Sequence, residues 1–477
     1  MPRDVSAIGA TTSKMSSSET RVASDHLTPI RQAATGPGDD ANNMSAFVEH
    51  ESNVRNYSRS FPVVFVSGRG ARLIDEKNRG YIDFLSGAGA LNYGHNNPQL
   101  KRALLEYIAS DGVTMSLDMA TAAKRDFIRT FESLILQSRG LSYRLQFTGP
   151  TGAHAVEAAI ALARKTTGRN GLVAFTNGFH GMTQGALSVS ANRYYRGSRA
   201  RPGDVTFLPY DNYADDLDSM NYIEACLDDP GSGIDPPAAF VVETVQGEGG
   251  VNVASNDWLR RLEGLARRVG SLLIVDDVQA GCGRTSTFFS FERAGITPDL
   301  VCLSKSISGY GLPMALTLIR PDIDAWEPGE HSGTFRGNNL AFVAATAALE
   351  CYWREKSFAN DIARKGENIL QRLQAIVTSA NGLGRNSSQM ALRVSGMMLG
   401  IDCKERELAL SISRTAFARG LIIETCGNRD HVVKLLPALT IENDELKEGL
   451  DILGNAILDC VKMRIEAGDA KEMSVRA

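Results

Sequence analysis

The sequence lacks several of the patterns by which proteins bind metals, nucleotides and membranes. It has no CxxC pair and no HExxH motif, and its seven cysteines and seven histidines are scattered along 477 residues. A Walker phosphate loop is absent, and "GRGARL" and "GAGALN" lack the third glycine of a dinucleotide fingerprint. No apolar run is long enough to cross a bilayer. These absences argue against a metal site, a P-loop or Rossmann nucleotide site, and a membrane protein.

The sequence also lacks a strong charge of one sign and a secretion signal. Its formal net charge is −4 and the main body contains no basic block, so we expect no nucleic-acid partner. An odd number of cysteines and the absence of a signal-peptide core predict free thiols in the cytoplasm. Residues 1–44 are small, polar and partly acidic, which predicts a disordered tail and not an organelle transit peptide.

What the sequence does contain is a repeated strand–helix pattern. From residue 143 onward, short apolar strands alternate with amphipathic helices, such as those predicted over residues 153–165 and 256–269. The strand ends at Glu243, Asp276 and Ser304 recur about every thirty residues, which is the length of a βαβ unit. The pattern predicts an α/β fold with a mostly parallel sheet covered by helices, followed after about residue 340 by a smaller α+β region.

The polar residues at the strand ends are the candidates for a site, because open α/β sheets bind ligands at the carboxyl ends of their strands. Lys305 in "VCLSKSISGYG" follows a buried strand, and Phe179 and His180 follow another. Asp276 and Asp277 end the strand in "LLIVDDVQAG", and only one of them can face a given ligand because successive residues point to opposite faces. The segment "QFTGPTGAHAVEAAIALARK" runs from a strand through a turn into a helix, whose first N–H groups can hold an anion.

A strand-end lysine, an anion-binding turn and a strand-end aspartate are together typical of pyridoxal phosphate (PLP) sites. The lysine forms a Schiff base with the cofactor, and the aspartate keeps the pyridine nitrogen protonated so that the ring acts as an electron sink. Lys305 and Asp276 suit these roles, and Phe179 suits that of an aromatic ring stacked on the cofactor. Each feature alone has an ordinary structural explanation, as a solvated lysine, a helix-capping aspartate or a plain turn.

These residues resemble the class III (ω-type) aminotransferases of PLP fold type I, and within them the diaminobutyrate–2-oxoglutarate aminotransferases of ectoine biosynthesis. The resemblance covers about residues 47–460 and rests on stretches such as "GAGALNYGHNNP", "ETVQGEGGVNVAS", "CLSKSISGYGLPMALTLIRP" and "GTFRGNNLAFV". It implies a large sheet domain and a smaller α+β domain built from both chain ends. We therefore predict a tail over residues 1–44, the small domain over 45–100 and 341–477, and the large PLP-binding domain over 101–340.

The resemblance also implies roles for individual residues. Lys305 is expected to be the Schiff-base lysine and the general base, and Asp276 the partner of the pyridine nitrogen. The other expected cofactor ligands are Thr151, Gly152, Ala153, Phe179, His180, Glu243, Val278, Gln279 and Thr334. Thr334 is expected to reach the phosphate from the neighbouring subunit, which implies a homodimer with shared sites.

Three further residues are expected to handle the substrates: Glu248, Lys434 and Arg336. Lys434 in "VVKLLP" stands where the family has an arginine that pairs with the glutamate at Glu248, and Met182 stands where other ω-aminotransferases often have an arginine. Lysine cannot form the bidentate fork of arginine, so we expect an ammonium–carboxylate pair that opens more readily. Arg336 is the alternative partner for a substrate carboxylate.

The predicted reaction moves an amino group from L-glutamate to L-aspartate 4-semialdehyde, giving L-2,4-diaminobutyrate and 2-oxoglutarate, reversibly. Another ω-aminotransferase acting on ornithine or 4-aminobutyrate, and a PLP aminomutase, remain open. A non-catalytic PLP-binding sensor is disfavoured, because the first 44 residues lack the apolar pattern of a helix-turn-helix segment. The pathway served, whether for ectoine, a siderophore or a peptide antibiotic, also remains open.

Overall fold

The computed structural model describes residues 44–197, 203–383 and 389–476, the last nine of these by backbone alone. The tail predicted over residues 1–44 therefore lies outside the described residues, apart from Met44. The chain divides into two compact units, residues 1–54 and 55–477. The described part of the first unit contains the helix Ser45–His50.

The second unit is organised around a seven-stranded sheet. Its strands, in spatial order, are Arg144–Phe147, Leu316–Ile319, Leu300–Leu303, Leu272–Asp276, Ala239–Val242, Leu172–Phe175 and Val205–Leu208. All pairs from Leu300–Leu303 to Val205–Leu208 are parallel, whereas Leu316–Ile319 is antiparallel to both of its neighbours. The predicted α/β fold with a mostly parallel sheet is confirmed.

The middle strands of this sheet are buried on both faces. Leu300–Leu303, Leu272–Asp276 and Ala239–Val242 are buried at every position, and their sequences are apolar runs without polar alternation. Polar side chains can therefore stand only where these strands end. Asp276 ends one strand, and Lys305 follows the next one along the sheet after a single intervening serine.

Smaller sheets combine segments from both ends of the second unit. One contains Phe65–Arg69, Arg72–Asp75, Gly80–Asp83 and Leu421–Ile422; another contains Ala391–Ser395, Met398–Asp402, Val432–Leu435 and Glu424–Cys426; Val245–Gln246 pairs with Asn252–Val253. Because Leu421–Ile422 pairs in parallel with Gly80–Asp83, early and late parts of the chain share one sheet. This confirms a smaller α+β region built from both chain ends, while its boundaries at residues 100 and 340 stay predictions.

Thirteen helices are described in the second unit, and several of them have clear capping residues. They are Tyr57–Ser60, Ser86–Gly89, Pro98–Ala109, Ala122–Phe131, Gly152–Thr167, Gln184–Ser188, Arg193–Arg196, Ser219–Asp228, Asn256–Arg268, Asn339–Tyr352, Ser357–Asn381, Arg406–Ala418 and Asn443–Arg476. Ser255 caps Asn256–Arg268 by accepting the N–H of Trp258, and Gly168 ends Gly152–Thr167 in the left-handed conformation. None of the described helices combines the length and the apolarity that a membrane span requires.

Candidate active site

Lys305 stands at the carboxyl end of the strand Leu300–Leu303 in an unusual backbone conformation. Its φ of 52° lies in the left-handed region, which costs a non-glycine residue about 1–3 kcal/mol and is found mainly at functional sites. Burial lowers the pKa of its ammonium below the ordinary value, although the charge of Glu248 acts against this. Among the described residues, the Lys305 ammonium has no hydrogen-bond or ion-pair partner. The backbone of Lys305 is therefore strained, and its amine has no hydrogen-bond or ion-pair partner among the described residues.

Asp276 forms a buried pair with His180. Its Oδ2 lies 2.8 Å from Nδ1 of His180, and its Oδ1 accepts the N–H of Val278 at 3.2 Å. Burial would lower the pKa of His180, but the hydrogen bond and the charge of Asp276 outweigh burial and raise it. The N–H of His180 donates to Ser190, which fixes the backbone that carries the ring. A carboxylate has about four acceptor positions, so Asp276 can still accept a further donor.

Asp277 points away from this pair, as alternate positions on one strand predict. Its Oδ2 accepts the N–H of Ser290 at 3.1 Å, and burial raises its pKa to about 7. The strand therefore carries two buried carboxylates with different environments. Asp276 is paired with an imidazole, whereas the environment of Asp277 favours its neutral form.

Glu243 holds the loop that carries Phe179 and His180. Its Oε2 accepts the N–H of Phe179 at 3.0 Å and its Oε1 accepts the N–H of Gly247 at 3.3 Å. Burial raises the pKa of Glu243 to about 7. The ring of Phe179 is half-buried and packs edge-on against Tyr195, with 5.3 Å between the ring centroids. Glu243 therefore fixes the backbone that presents the aromatic ring.

The predicted phosphate-binding turn opens the helix Gly152–Thr167. Among the described backbone contacts, the N–H groups of Gly152 and Ala153 donate to no acceptor, while Oγ1 of Thr151 lies 2.8 Å from Nδ1 of His154. A Cβ on Gly152 would lie only 2.9 Å from Cγ1 of Val278, so the close approach of the turn to Val278 requires glycine. Free amides at a helix N-terminus suit an anion such as phosphate.

Gln279 links the Asp276 strand to Glu248, which is predicted to handle the substrates. Its Nε2 donates at 3.1 Å both to the carbonyl of Ala88 and to Oε1 of Glu248, which fixes the orientation of the amide. Its Oε1 is buried and accepts no hydrogen bond from any described residue. A Cβ on Gly247 would stand 1.7 Å from this oxygen, so a larger residue at position 247 would displace the side chain of Gln279.

Glu248 and Lys434 are brought together, and a second carboxylate joins them. Nζ of Lys434 is fully buried, 2.6 Å from Oε1 of Glu248 and 3.1 Å from Oε1 of Glu424. Burial would raise the pKa of Glu248, but the charges of Lys434 and Lys305 outweigh it and lower the pKa to about 2. Tyr57 donates to Oε2 of Glu424 at 3.1 Å. Glu424 and Tyr57 are absent from the residues predicted from the sequence.

Thr334 and Arg336 lie apart from this group in the short turn Thr334–Arg336. Thr334 is exposed, and Nη2 of Arg336 contacts Nδ1 of His331. Among the described contacts, none joins Thr334 to the turn at Gly152, and none joins Arg336 to Lys434. The described contacts thus do not join these two predicted site residues to the others within one chain.

The donor set fits PLP. Free amides open the helix at Gly152 where a phosphate would bind, and Asp276 retains acceptor capacity where a pyridine nitrogen would lie. The unpaired Oε1 of Gln279 suits a hydroxyl donor, and the amine of Lys305 is uncommitted. Four separate features of this site therefore match four separate groups of the one cofactor.

An uncommitted strand-end lysine and a carboxylate–imidazole pair on a mostly parallel α/β sheet define a PLP-dependent enzyme of fold type I. The chain belongs to the class-III aminotransferase family, whose family model matches residues 54–457. The family, the fold type and the cofactor predicted from the sequence are confirmed.

Relatives of known name are similar over most of their length. A diaminobutyrate–2-oxoglutarate transaminase from Bordetella parapertussis is 53% identical, with 88% of this chain and 96% of the relative covered. A transaminase of the same name from Halomonas elongata is 54% identical, with 84% and 96% covered. Ornithine aminotransferase from Toxoplasma gondii superposes with a TM-score of 0.74 over 88% of this chain and 95% of that one, and at 24% identity it shows the fold alone.

Proposed function

We propose that the protein is a diaminobutyrate–2-oxoglutarate transaminase. It moves an amino group from L-glutamate to L-aspartate 4-semialdehyde and yields L-2,4-diaminobutyrate and 2-oxoglutarate, reversibly. The observation that carries the proposal is the 53% and 54% identity to transaminases of that name over nearly their whole length. The Lys434–Glu248 pair supports it, because the substrates bring carboxylates and ammonium groups to one site.

The chain supplies proton transfer and orientation in this reaction. When bound, PLP supplies an electron sink for the negative charge that develops at the carbon bearing the amino group. Asp276 holds a proton on the pyridine nitrogen, and His180 keeps the carboxylate in place. Lys305 moves the proton at the reacting carbon, since a lowered pKa increases the fraction of neutral, basic amine.

Five further residues position the cofactor in this proposal. The amides of Gly152 and Ala153 would bind the phosphate, Val278 and Phe179 would hold the ring, and Gln279 would accept its hydroxyl. The amides are free, and the oxygen of Gln279 is buried without a partner among the described residues, which suits these roles.

Lys434 binds the carboxylate of glutamate or 2-oxoglutarate in this proposal. The ammonium is held by Glu248 and Glu424, so it must leave one of them to engage a substrate. Met182, at the position where related enzymes often have an arginine, is half-exposed at 49% and offers no charge. Lys434 is therefore the buried cation at this end of the site, and Glu248 forms the gate that it opens.

The enzyme acts as a homodimer in the cytoplasm, in our proposal. Thr334 is exposed within one chain, which suits a residue that reaches the phosphate of a neighbouring subunit. All seven cysteines are free thiols, which suits a reducing compartment.

A donor screen tests the proposed reaction. Purified protein with PLP and 2-oxoglutarate is offered diaminobutyrate, ornithine, 4-aminobutyrate or lysine, and the glutamate formed is measured, with Lys305→Ala as the inactive control. We expect the highest kcat/KM with diaminobutyrate. A higher value with ornithine or 4-aminobutyrate would instead identify a different ω-aminotransferase, and no glutamate from any donor would contradict the transaminase itself.

A further inference from the structure

Glu424 stands directly opposite Lys434 on neighbouring antiparallel strands, Glu424–Cys426 and Val432–Leu435. The ammonium of Lys434 thus has two carboxylates around it, Glu248 at 2.6 Å and Glu424 at 3.1 Å. One ammonium cannot neutralise two carboxylates, so ionisation of both acids leaves the cluster with one negative charge in excess. Burial makes such a charge costly unless another cation compensates it.

The second carboxylate is incompletely bonded. Oε2 of Glu424 accepts the hydroxyl of Tyr57, whereas Oε1, although 3.1 Å from the ammonium of Lys434, accepts no hydrogen bond from any described residue. Glu424 is 9% exposed, so water reaches this oxygen poorly. Oε1 of Glu424 therefore shares the one ammonium of Lys434 with Glu248, which holds it more closely, so a second cationic donor would stabilise this oxygen. Tyr57 fixes the carboxylate from the other side.

The cluster is joined to the cofactor residues by Gln279, whose Nε2 donates to Oε1 of Glu248 at 3.1 Å. The charges of Glu248, Lys434 and Glu424 also act on the pKa of Lys305, which burial lowers. A substrate whose terminal amine lies beside Lys305 therefore extends its other end toward this cluster. In diaminobutyrate that other end is a zwitterion, with an α-carboxylate and an α-ammonium on one carbon.

We propose that Glu424 is a substrate-binding residue whose Oε1 accepts the α-ammonium of diaminobutyrate, while Lys434 takes the α-carboxylate. The inference rests on the proposed function and extends it, because it names the group that selects an α-amino acid among ω-amine donors. The charges of the zwitterion are complementary to those of the cluster. Its carboxylate pairs with the ammonium of Lys434, and its ammonium neutralises the excess negative charge of the two carboxylates. A donor without the α-ammonium leaves the two carboxylates with only one ammonium between them.

Diaminobutyrate and 4-aminobutyrate differ only in the α-ammonium. A comparison of the two donors therefore measures the effect of its contact with Glu424. The holoenzyme is mixed with each donor in the absence of 2-oxoglutarate, and kcat/KM of the half-reaction is read from the absorbance of the bound cofactor. We expect the wild type to prefer diaminobutyrate by roughly 10- to 150-fold, the range for one hydrogen bond to a charged group. In Glu424→Gln that preference should fall to within about threefold of unity.

Tyr57→Phe is the matched control, since it removes the hydrogen bond to Glu424 and keeps the charge. It should reduce the preference in the same direction by a smaller factor, and it carries the same test if Glu424→Gln does not fold. An unchanged donor preference in Glu424→Gln, or an equal loss for both donors, would overturn the inference and leave the proposed function intact. A wild type that does not use diaminobutyrate would overturn both.

Discussion

Replacing Lys434 with methionine removes the ammonium that lies between the partly exposed Glu248 and the buried Glu424. Nζ is fully buried and contacts both Glu248 and Glu424, so the variant leaves two acids side by side without a cation. Loss of one partner of a buried ion pair typically costs about 3–5 kcal/mol of folding free energy. Part of this cost is recovered by protonation of Glu424, whose pKa is already raised, chiefly by burial.

The sign of the pH dependence follows from that protonation. An acid whose pKa is raised on folding contributes stability while it is protonated, and that contribution is lost as pH rises through its folded pKa. The melting temperature of Lys434→Met should therefore lie further below that of the wild type at pH 8 than at pH 5. Thermal unfolding in matched buffers measures this, with Lys434→Arg as the control that keeps the positive charge. A deficit that is independent of pH would contradict the presence of an uncompensated acid.

The same substitution, Lys434→Met, should raise the KM of the glutamate half-reaction more than that of the diaminobutyrate half-reaction. Glutamate loses a salt bridge to its carboxylate, and a charged hydrogen bond is worth roughly 10- to 150-fold in binding. We therefore expect the KM for glutamate to rise by about that factor, and that for diaminobutyrate to rise less because its ammonium keeps the contact with Glu424. Single-turnover kinetics with each donor measures the two values. An unchanged glutamate half-reaction in Lys434→Met would mean that the carboxylate is bound elsewhere, and Arg336 is then the residue to replace.

Three further predictions concern the cofactor residues. Lys305→Ala should abolish transamination and remove the visible absorbance of the wild-type holoenzyme, and full turnover in this variant would contradict its proposed role. Asp276→Asn should lower kcat by on the order of 10²- to 10⁴-fold, because a neutral amide cannot keep the pyridine nitrogen protonated. Asp277→Asn should cost less activity, since that carboxyl accepts the N–H of Ser290 and points away from His180, and equal losses of kcat in the two variants would refute the assignment. Thr334→Ala should weaken PLP retention, and mixing it with Lys305→Ala should recover activity through mixed dimers with one intact site. Exchanged dimers without recovered activity would exclude the shared site.

The fold was predictable because the middle strands are uniform apolar runs separated by amphipathic helices. The orientation of Leu316–Ile319 was not, because a strand buried on both faces has the same composition whether it runs parallel or antiparallel to its neighbours. What distinguishes it is the connection: the short turn Lys305–Ser308 and a loop precede it, where a parallel strand would need a longer crossover.

The sequence predicts which residues lie at the same edge of the sheet, but it does not predict which of them are in contact. Asp276 and His180 both follow strands of one sheet, so their common edge is implied by the rule for open α/β folds. Their contact at 2.8 Å depends on the strand order, since Ala239–Val242 lies between the two strands that carry them. Asp276 and His180 are 96 positions apart in the sequence. Neither this separation nor the composition of the segment between them determines the order of the strands in the sheet.

The pairing of Glu424 with Lys434 depends on a finer property still, the register of two short strands. Side chains alternate between faces, so a slip of one residue would turn Glu424 away from Lys434 and leave a single ammonium–carboxylate pair with Glu248. In such a pair the one positive and the one negative charge cancel, so no charged ligand is needed to balance them. The observed register places a second acid on the same ammonium, and when both acids are ionised the group needs another cation to balance its charge. The register thus links the strand pairing to the choice of substrate, since a donor that carries an α-ammonium supplies that cation.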